Sequence, residues 1–404
     1  MSWQKIVFKK KQEINVGVWN YYEELNTDNF ILLNKEASIG DDLLKPVNDL
    51  YHFGKAEQVN FNTLPMVSDW EKIDLFLFMD FPNKNNKWVQ KALKSDKPKF
   101  LIICETEIIK PDNWDINNHQ LFDKIFTWND DWVHFKKYIK LNFCQDITCL
   151  SSNTVDFNKK LCTLINSAKL VNHPNGLYSK RIEIIQWFEN NHPEDFDLYG
   201  KGWSTNQFPS YLGEIKQKRE VLSQYKFAIC FENAHGYPGY ITEKIFDCFK
   251  AGCVPVYWGA PNIESHIPQN CFVDARKFSC YEDLYNFLTE TSDVEYKAYL
   301  DNIEKFVNNY SPTLEFQQYS YPFSTKNYVW TLVHHIKKSV LNKQQLAPKV
   351  SILVPTYNQA NYIQKAIDSI LDQHIANVEI VILDNKSTDN TQEKLQKYKK
   401  NPAD

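Results

Sequence analysis

The stretch KFAICFENAHGYPGYITEKIFDCFKAGCVPVYWGAP, residues 226–261, places an acid and an amide (Glu232, Asn233), two glycines (Gly236, Gly239), two tyrosines (Tyr237, Tyr240) and an adjacent Glu243–Lys244 pair between two apolar runs. These residue types suit a phosphorylated ligand carrying a sugar. A helix beginning at Thr242 would aim free backbone amides and the positive end of its dipole at whatever precedes it, which favours phosphate. Lys244 can neutralise a diphosphate as a mobile point charge, and Glu243 can accept two hydrogen bonds from the vicinal hydroxyls of a ribose. The glycines permit close backbone approach or positive φ, and the tyrosines offer ring faces and hydroxyls to a base or sugar. Taken singly, each residue also fits ordinary structure: acids are common in a first helical turn, tyrosines pack, and glycines make turns. Their crowding into one strand-to-helix loop is what points to a ligand. Ile245, Phe246 and Phe249 need no ligand; they are the packing face of a helix ending at Gly252.

The elements that must hold this loop read as α/β. From Ile14 onward, apolar runs (INVGVW, FILL, IDLFLFMDF, KFLIICE) alternate with polar or helix-forming stretches such as KWVQKALKS. The Ser-, Thr- and Asn-rich loop DITCLSSNTVDFN, residues 146–158, predicts a domain boundary. A second unit then reads as strand KLCTLIN, helix SKRIEIIQWFENN, strand FDLYG, helix IKQKREVLSQ, strand FAICFE, helix TEKIFDCFKAG and strand VPVYWG. Such alternation predicts mainly parallel sheets with ligands at the strand carboxyl ends. A helical tail from Tyr281 through Lys338 is expected to pack across both units, followed by the polar linker NKQQLAPK. Beyond it lie the strands KVSILVPTYN and VEIVILDNKSTDNT. Between them Ile363, Ala366, Ile367, Ile370 and Leu371 fall at i, i+3, i+4, i+7 and i+8, a one-sided helix that makes the segment βαβ. The domain limits are therefore 1–155, 156–340 and 341–404.

Composition narrows the function classes. With 43% hydrophobic residues over 404 positions the chain can bury sizeable cores, and a net charge of −4 supplies no basic field for nucleic acid. No apolar run reaches the roughly 18 residues of a membrane span, and MSWQKIVFKKKQ lacks the apolar centre of a secretory signal. Nine cysteines without metal-ligand spacing read as reduced thiols, so a cytoplasmic location is expected. Only three of the 46 basic residues are arginine (Arg181, Arg219, Arg276), which makes their positions informative.

FENAHGYPGYITEK followed by VPVYWGAP resembles the signature of the α-1,3-fucosyltransferases of glycosyltransferase family 10, and the resemblance extends upstream through KLCTLINSAK, DLYGKGW and YLGEIKQKREVLSQYKF. It implies the GT-B architecture: two facing Rossmann-like domains, with the acceptor domain first and the GDP-fucose domain second. Carried over by position, it makes Glu243 the ribose contact and Lys244 a diphosphate contact, with Asn233 and Tyr240 lining the donor pocket and Arg181 the phosphate-binding arginine. The base that takes the acceptor proton is implied in the first domain, where CETE after KFLII aligns; Glu105 is the candidate, Glu107 the second, and Asp80, ending LFLFMD, an outsider. Cys104 stands where the family pattern has glycine. The resemblance therefore predicts an inverting enzyme that moves L-fucose from GDP-fucose to a glycan hydroxyl, the 3-position of N-acetylglucosamine, in the cytoplasm of a bacterial or viral host. The alternatives are another nucleotide sugar on the same fold, or a catalytically silent glycan-binding or scaffolding module. No Asp-x-Asp or His-rich cluster with metal spacing occurs in the first 340 residues, so Arg181 and Lys244 are expected to replace a divalent ion.

The carboxyl-terminal VSILVPTYNQANYIQKAIDSILDQ with EIVILDNKSTDNT is similar to the opening of a family 2 glycosyltransferase, a GT-A fold. Asp384 matches the first acid of that family's Asp-Asp-Gly-Ser-x-Asp motif and is implied as a nucleotide contact. Asn385 and Lys386 depart from the motif. The resemblance places the metal-binding acids and base of that family after Asp404, so a bifunctional transferase with a truncated second domain is expected, whose complete form would use a divalent metal.

Overall fold

The computed structural model describes residues 4–9, 13–35, 43–145, 155–309, 322–344, 350–371 and 378–399. The chain divides into two compact units. The larger comprises residues 15–57 and 61–334, and the smaller is built mainly from residues 1–14 and 335–404. In chain order the strands are β1 (Gln4–Lys9), β2 (Ile14–Asn20), β3 (Val59–Thr63), β4 (Leu75–Met79), β5 (Lys99–Ile103), β6 (Lys124–Thr127), β7 (Tyr138–Lys140) and β8 (Lys160–Ile165). They continue as β9 (Phe196–Tyr199), β10 (Tyr211–Gly213), β11 (Tyr225–Phe231), β12 (Val254–Trp258), β13 (Val273–Asp274), β14 (Val350–Thr356) and β15 (Val378–Asp384).

Two six-stranded sheets form the larger unit, ordered β3-β2-β4-β5-β6-β7 and β10-β9-β8-β11-β12-β13. Neighbours from β2 to β7, and throughout the second sheet, are parallel. This is the doubly wound, two-domain α/β arrangement expected of a GT-B fold. The sequence explains why the central strands are buried on both faces: β4 is LFLFM, with every residue buried, and β11 is YKFAICF, with all but Lys226 buried. Strand order reverses between β2 and β4 in the first sheet and between β8 and β11 in the second. At such a reversal the crossover helices diverge to opposite faces and leave a crevice beyond the strand carboxyl ends. Those ends are Asn20 and Met79 on one side, Ile165 and Phe231 on the other.

The tail ties the two sheets together. Asn142 Nδ2 donates to the Pro322 carbonyl at 3.3 Å and Gln145 N to the Phe323 carbonyl at 2.8 Å, while the Phe323 ring packs on Phe246 of the second half. Most of the boundary loop, residues 146–154, and the linker from 345 to 349 lie outside the described residues.

Three features differ from the sequence reading. FILL is not strand-like but one helical turn, Phe30–Leu33, because Asn29 enters it at φ 55° and the Asn34 side chain closes it on the Phe30 carbonyl. The helix read from Ile215 narrows to Lys218–Leu222, since the chain at Gln217 is still extended. The amino-terminal strand β1 pairs antiparallel with β15, so the first residues belong with the carboxyl-terminal unit, whose sheet order is β1-β15-β14. There β14 and β15 are parallel around the helix Ile363–Leu371, and Ile363, Ile367, Ile380, Ile382 and Leu395 form its core.

One glycine is fixed by the fold in a way that can be measured. Gly200, just after β9, has φ +127°, and an added Cβ would lie 1.8 Å from the Asn166 carbonyl oxygen, which already accepts the Trp203 indole N–H at 2.8 Å. Gly200→Ala must displace backbone at the edge of the crevice and is expected to cost on the order of 3 kcal/mol. A urea midpoint within error of the parent protein would refute that expectation.

Candidate active site

The crevice is a cleft of about 1920 Å³, lined from the first half by Asn20, Tyr21, Tyr22, Asp80, Cys104 and Glu105 and from the second by Asn166, Arg181, Asn233, Tyr240, Glu243 and Lys244, among others. Asn20, Asp80, Cys104 and Asn166 sit at or just past strand ends. β11 carries directly into Glu232 and Asn233, and the loop returns to a helix, Glu243–Ala251, one residue later than the sequence suggested. Gly236 and Gly239 have φ of 83° and 82°, and Gly252 ends the helix at φ 63°.

The second wall is a set of cations held by buried acceptors. Arg181, 4% exposed, lies in the helix Tyr178–Asn191; its Nη2 donates to the Phe231 carbonyl at 2.6 Å and to Asn233 Oδ1 at 3.0 Å, and its guanidinium sits 5.1 Å over the Tyr178 ring. Burial lowers its proton affinity from the ordinary arginine value. Asn233 thus orients Arg181 while lining the cleft. Glu232, fully buried, accepts from Thr242 N at 2.8 Å, Thr242 Oγ1 at 2.7 Å and Lys244 Nζ at 3.2 Å. The acid of FEN therefore anchors both the helix start and its lysine, a role the sequence reading left unassigned. Lys244 is held charged: burial alone would lower its pKa, but Glu232 and Glu243 raise it. Glu243 is the converse case. Burial pushes its carboxyl up, yet Lys244 and Lys218 bring it down to about 2, so it is an ionised acceptor at neutral pH.

The first wall presents two carboxyls, Glu105 and Asp80, in different surroundings. Glu105 is clamped through its main chain: its N–H donates to Asp80 Oδ1 at 3.1 Å, and its carbonyl accepts from Asn113 Nδ2 at 3.2 Å and Trp114 Nε1 at 3.3 Å. Among the described residues no protein donor hydrogen-bonds its carboxylate, which faces the cleft. Burial, then the charge of Asp80, lifts its pKa to about 7. Asp80 is 2% exposed and its Oδ1 is taken by three donors, which leaves it poorly placed to receive a proton from a substrate.

Three residues sit differently from what the sequence implied. Glu107 does not line the cleft; it accepts the Tyr237 hydroxyl and lies 3.9 Å from His173 Nε2, so it clasps one half to the other. Tyr237 and Tyr240 are buried against Trp114, Trp128 and Phe143, an aromatic cluster joining the halves, rather than offering open faces; Tyr240 still borders the cleft, with its ring centroid 4.7 Å from that of Trp128. Neighbouring Asp130 extends this joint, accepting from His266 Nε2 and Asn262 Nδ2, each at 2.8 Å, and from Lys140.

In the smaller unit Asp384 is 1% exposed and internally engaged: Oδ1 accepts the Ser387 hydroxyl and Oδ2 the Gln392 amide. Among the described residues that unit holds no group of three metal-binding side chains. The one such group described, His192, Glu194 and Asp195, lies outside the cleft lining, and Tyr285 Oη donates to Asp195.

Two parallel six-stranded sheets in this strand order give the GT-B arrangement seen in glycosyltransferases, and comparison with known proteins agrees. Residues 158–321 match the glycosyltransferase family 10 (fucosyltransferase) C-terminal model and residues 351–404 the glycosyl transferase family 2 model. The chain thus carries a family 10 fucosyltransferase domain joined to a family 2 segment. The alpha-(1,3)-fucosyltransferase FucT of Helicobacter pylori is 39% identical over 87 residues, 22% of this chain and 18% of that protein. GDP-fucose protein O-fucosyltransferase 3 of Xenopus tropicalis is 35% identical over 114 residues, 27% of this chain and 24% of that protein. The matched stretches cover about a fifth to a quarter of the length of these relatives. Crystal structures of an alpha1,3-fucosyltransferase, alone and with GDP, superpose with TM-scores of 0.52 and 0.50 at 18% identity, covering 83% of this chain and 93% of theirs, which establishes the fold.

Proposed function

We propose that the cleft transfers L-fucose from GDP-fucose to a glycan hydroxyl, the 3-OH of N-acetylglucosamine, with inversion. The observation that carries this reading is the free Glu105 carboxylate across the cleft from Arg181 and Lys244. The Glu105 carboxylate takes the proton of the acceptor hydroxyl; the acceptor oxygen bonds to the anomeric carbon of fucose as the bond from that carbon to the β-phosphate oxygen breaks. Negative charge grows on the departing GDP, where a guanidinium and an ammonium held by buried acceptors stabilise it without reorganising. Glu243, ionised at neutral pH, takes the two ribose hydroxyls. On this reading the two cations do the work of a divalent ion, and donor binding is metal-independent.

Calorimetry with GDP-fucose, GDP-mannose, UDP- and dTDP-sugars tests the donor. Binding of GDP-fucose in preference to the others, unchanged by chelator, is expected; preference for another nucleotide sugar overturns the donor assignment, and loss of binding in chelator overturns metal independence. Turnover of GDP-fucose, by hydrolysis or transfer, separates an enzyme from a silent glycan-binding module. Because some relatives are named as protein O-fucosyltransferases, a hydroxyl on a protein is the second acceptor to assay beside lactosamine-type glycans.

A further inference from the structure

We infer that Asp80 is a positioning residue of this site: its carboxylate holds the Glu105 main chain in register and places a second negative charge against the Glu105 side chain. The inference rests on the reading of Glu105 as the base.

Asp80 leaves β4 with φ +56°, an unusual conformation for a residue other than glycine, although aspartate tolerates it better than most. Its N–H extends the ladder to the Ile102 carbonyl at 2.8 Å, and the turn brings its carboxylate under the end of β5. There Oδ1 gathers Cys104 N at 2.8 Å, Glu105 N at 3.1 Å and Asn113 Nδ2 at 2.6 Å. Asn113 is itself fixed, its Oδ1 accepting Phe81 N at 2.7 Å and its carbonyl lying 2.7 Å from His119 Nε2. With the Glu105 carbonyl also bound by Asn113 and Trp114, the Glu105 backbone is pinned at its N–H and its carbonyl while its carboxylate stays unpaired. A general base needs that combination of fixed origin and free lone pairs.

The electrostatic consequence follows from the same geometry. Two carboxyls in one crevice oppose each other's ionisation. Burial first, with Asp80 second, raises Glu105; burial raises Asp80 to about 6 against its three donors and Lys110. The other groups facing the pair are Tyr21 and Tyr22 after β2, Cys104 after β5, Tyr328 from the tail, and Lys169, Tyr178, Tyr240, Glu243 and Lys244 from the second half. Of these, Lys244 and Lys169 lower the Glu105 pKa, and Glu243 raises it.

Two variants of the full chain separate the roles. Asp80→Asn keeps a carbonyl oxygen for the two loop amides and removes the charge; Asp80→Ala removes both. In protein carrying [δ-¹³C]glutamate, with the Glu105 signal identified by its loss in Glu105→Gln, the midpoint of Glu105 titration is expected to fall by about one pH unit in Asp80→Asn. Asp80→Ala is expected to lose about 10²-fold in kcat with the KM for GDP-fucose within about twofold. An unmoved Glu105 midpoint in Asp80→Asn, or parental kcat in Asp80→Ala, overturns the inference. Should Asp80→Ala fail to fold, Asp80→Asn alone decides, with GDP calorimetry verifying its cleft. The titration needs no turnover, so a wild-type protein inactive on GDP-fucose defeats the functional reading while the midpoint still judges Asp80.

Discussion

Glu105→Gln protein is expected to bind GDP-fucose within about twofold of wild type and to transfer fucose about 10³-fold more slowly. The substitution preserves the size of the side chain and leaves the clamped main chain of residue 105 untouched, removing only the ability to accept a proton. The wild-type pH profile makes the expectation more specific. Glu105 is raised to about 7 by burial, reinforced by Asp80, so it is largely protonated and idle below that pH; kcat/KM should climb through pH 7 and level above it. In Glu105→Gln the residual rate should lose that limb. Stability moves the opposite way. A carboxyl whose folded pKa lies above its unfolded value supports the fold when protonated and opposes it as pH rises through the folded value. At pH 8 the glutamine variant should therefore unfold at the same urea concentration as wild type or a higher one, so a lost rate cannot be ascribed to a lost fold. Wild-type transfer by Glu105→Gln would dismiss Glu105 as the base.

Much of this cleft was legible in the sequence because the residues proposed to bind the donor's anionic groups are local. One strand-to-helix loop holds Asn233, Tyr240, Glu243 and Lys244, and its spacing alone brings them to a sheet edge. What was illegible depends on partners distant in sequence. Nothing in FEN announces that Glu232 turns inward to hold Lys244, since an acid beside an amide reads equally well as a ligand contact. Glu105 and Glu107 are two apart in CETE and look alike; only the fold, which brings Tyr237 from 130 residues away onto Glu107, tells the cleft-facing candidate base from the clasp. The burial of Tyr237 is hidden from the sequence for the same reason, since it is made by Trp114 and Trp128 of the other half. The pairing of β1 with β15 spans nearly the whole chain, and no local pattern could announce it.

Arg181→Ala tests the other wall and is expected to lower kcat/KM for GDP-fucose by about 10³-fold while weakening GDP itself. Two effects add. The guanidinium is lost from the position facing the departing diphosphate, and the buried Phe231 carbonyl and the Asn233 amide lose their donor, which should also lower unfolding stability by about 1–3 kcal/mol. Arg181→Lys separates these contributions: it keeps a positive charge but not the planar fork that reaches two acceptors from one nitrogen and leaves the rest for phosphate oxygens. Partial recovery of GDP affinity with little recovery of kcat is therefore expected, because a flexible ammonium can attract a diphosphate in the ground state without holding its charge where the bond breaks. The division between kcat and KM decides the role. A loss confined to KM would make Arg181 a binding contact felt equally before and during transfer, and GDP affinity unchanged in Arg181→Ala would remove it from the donor site altogether.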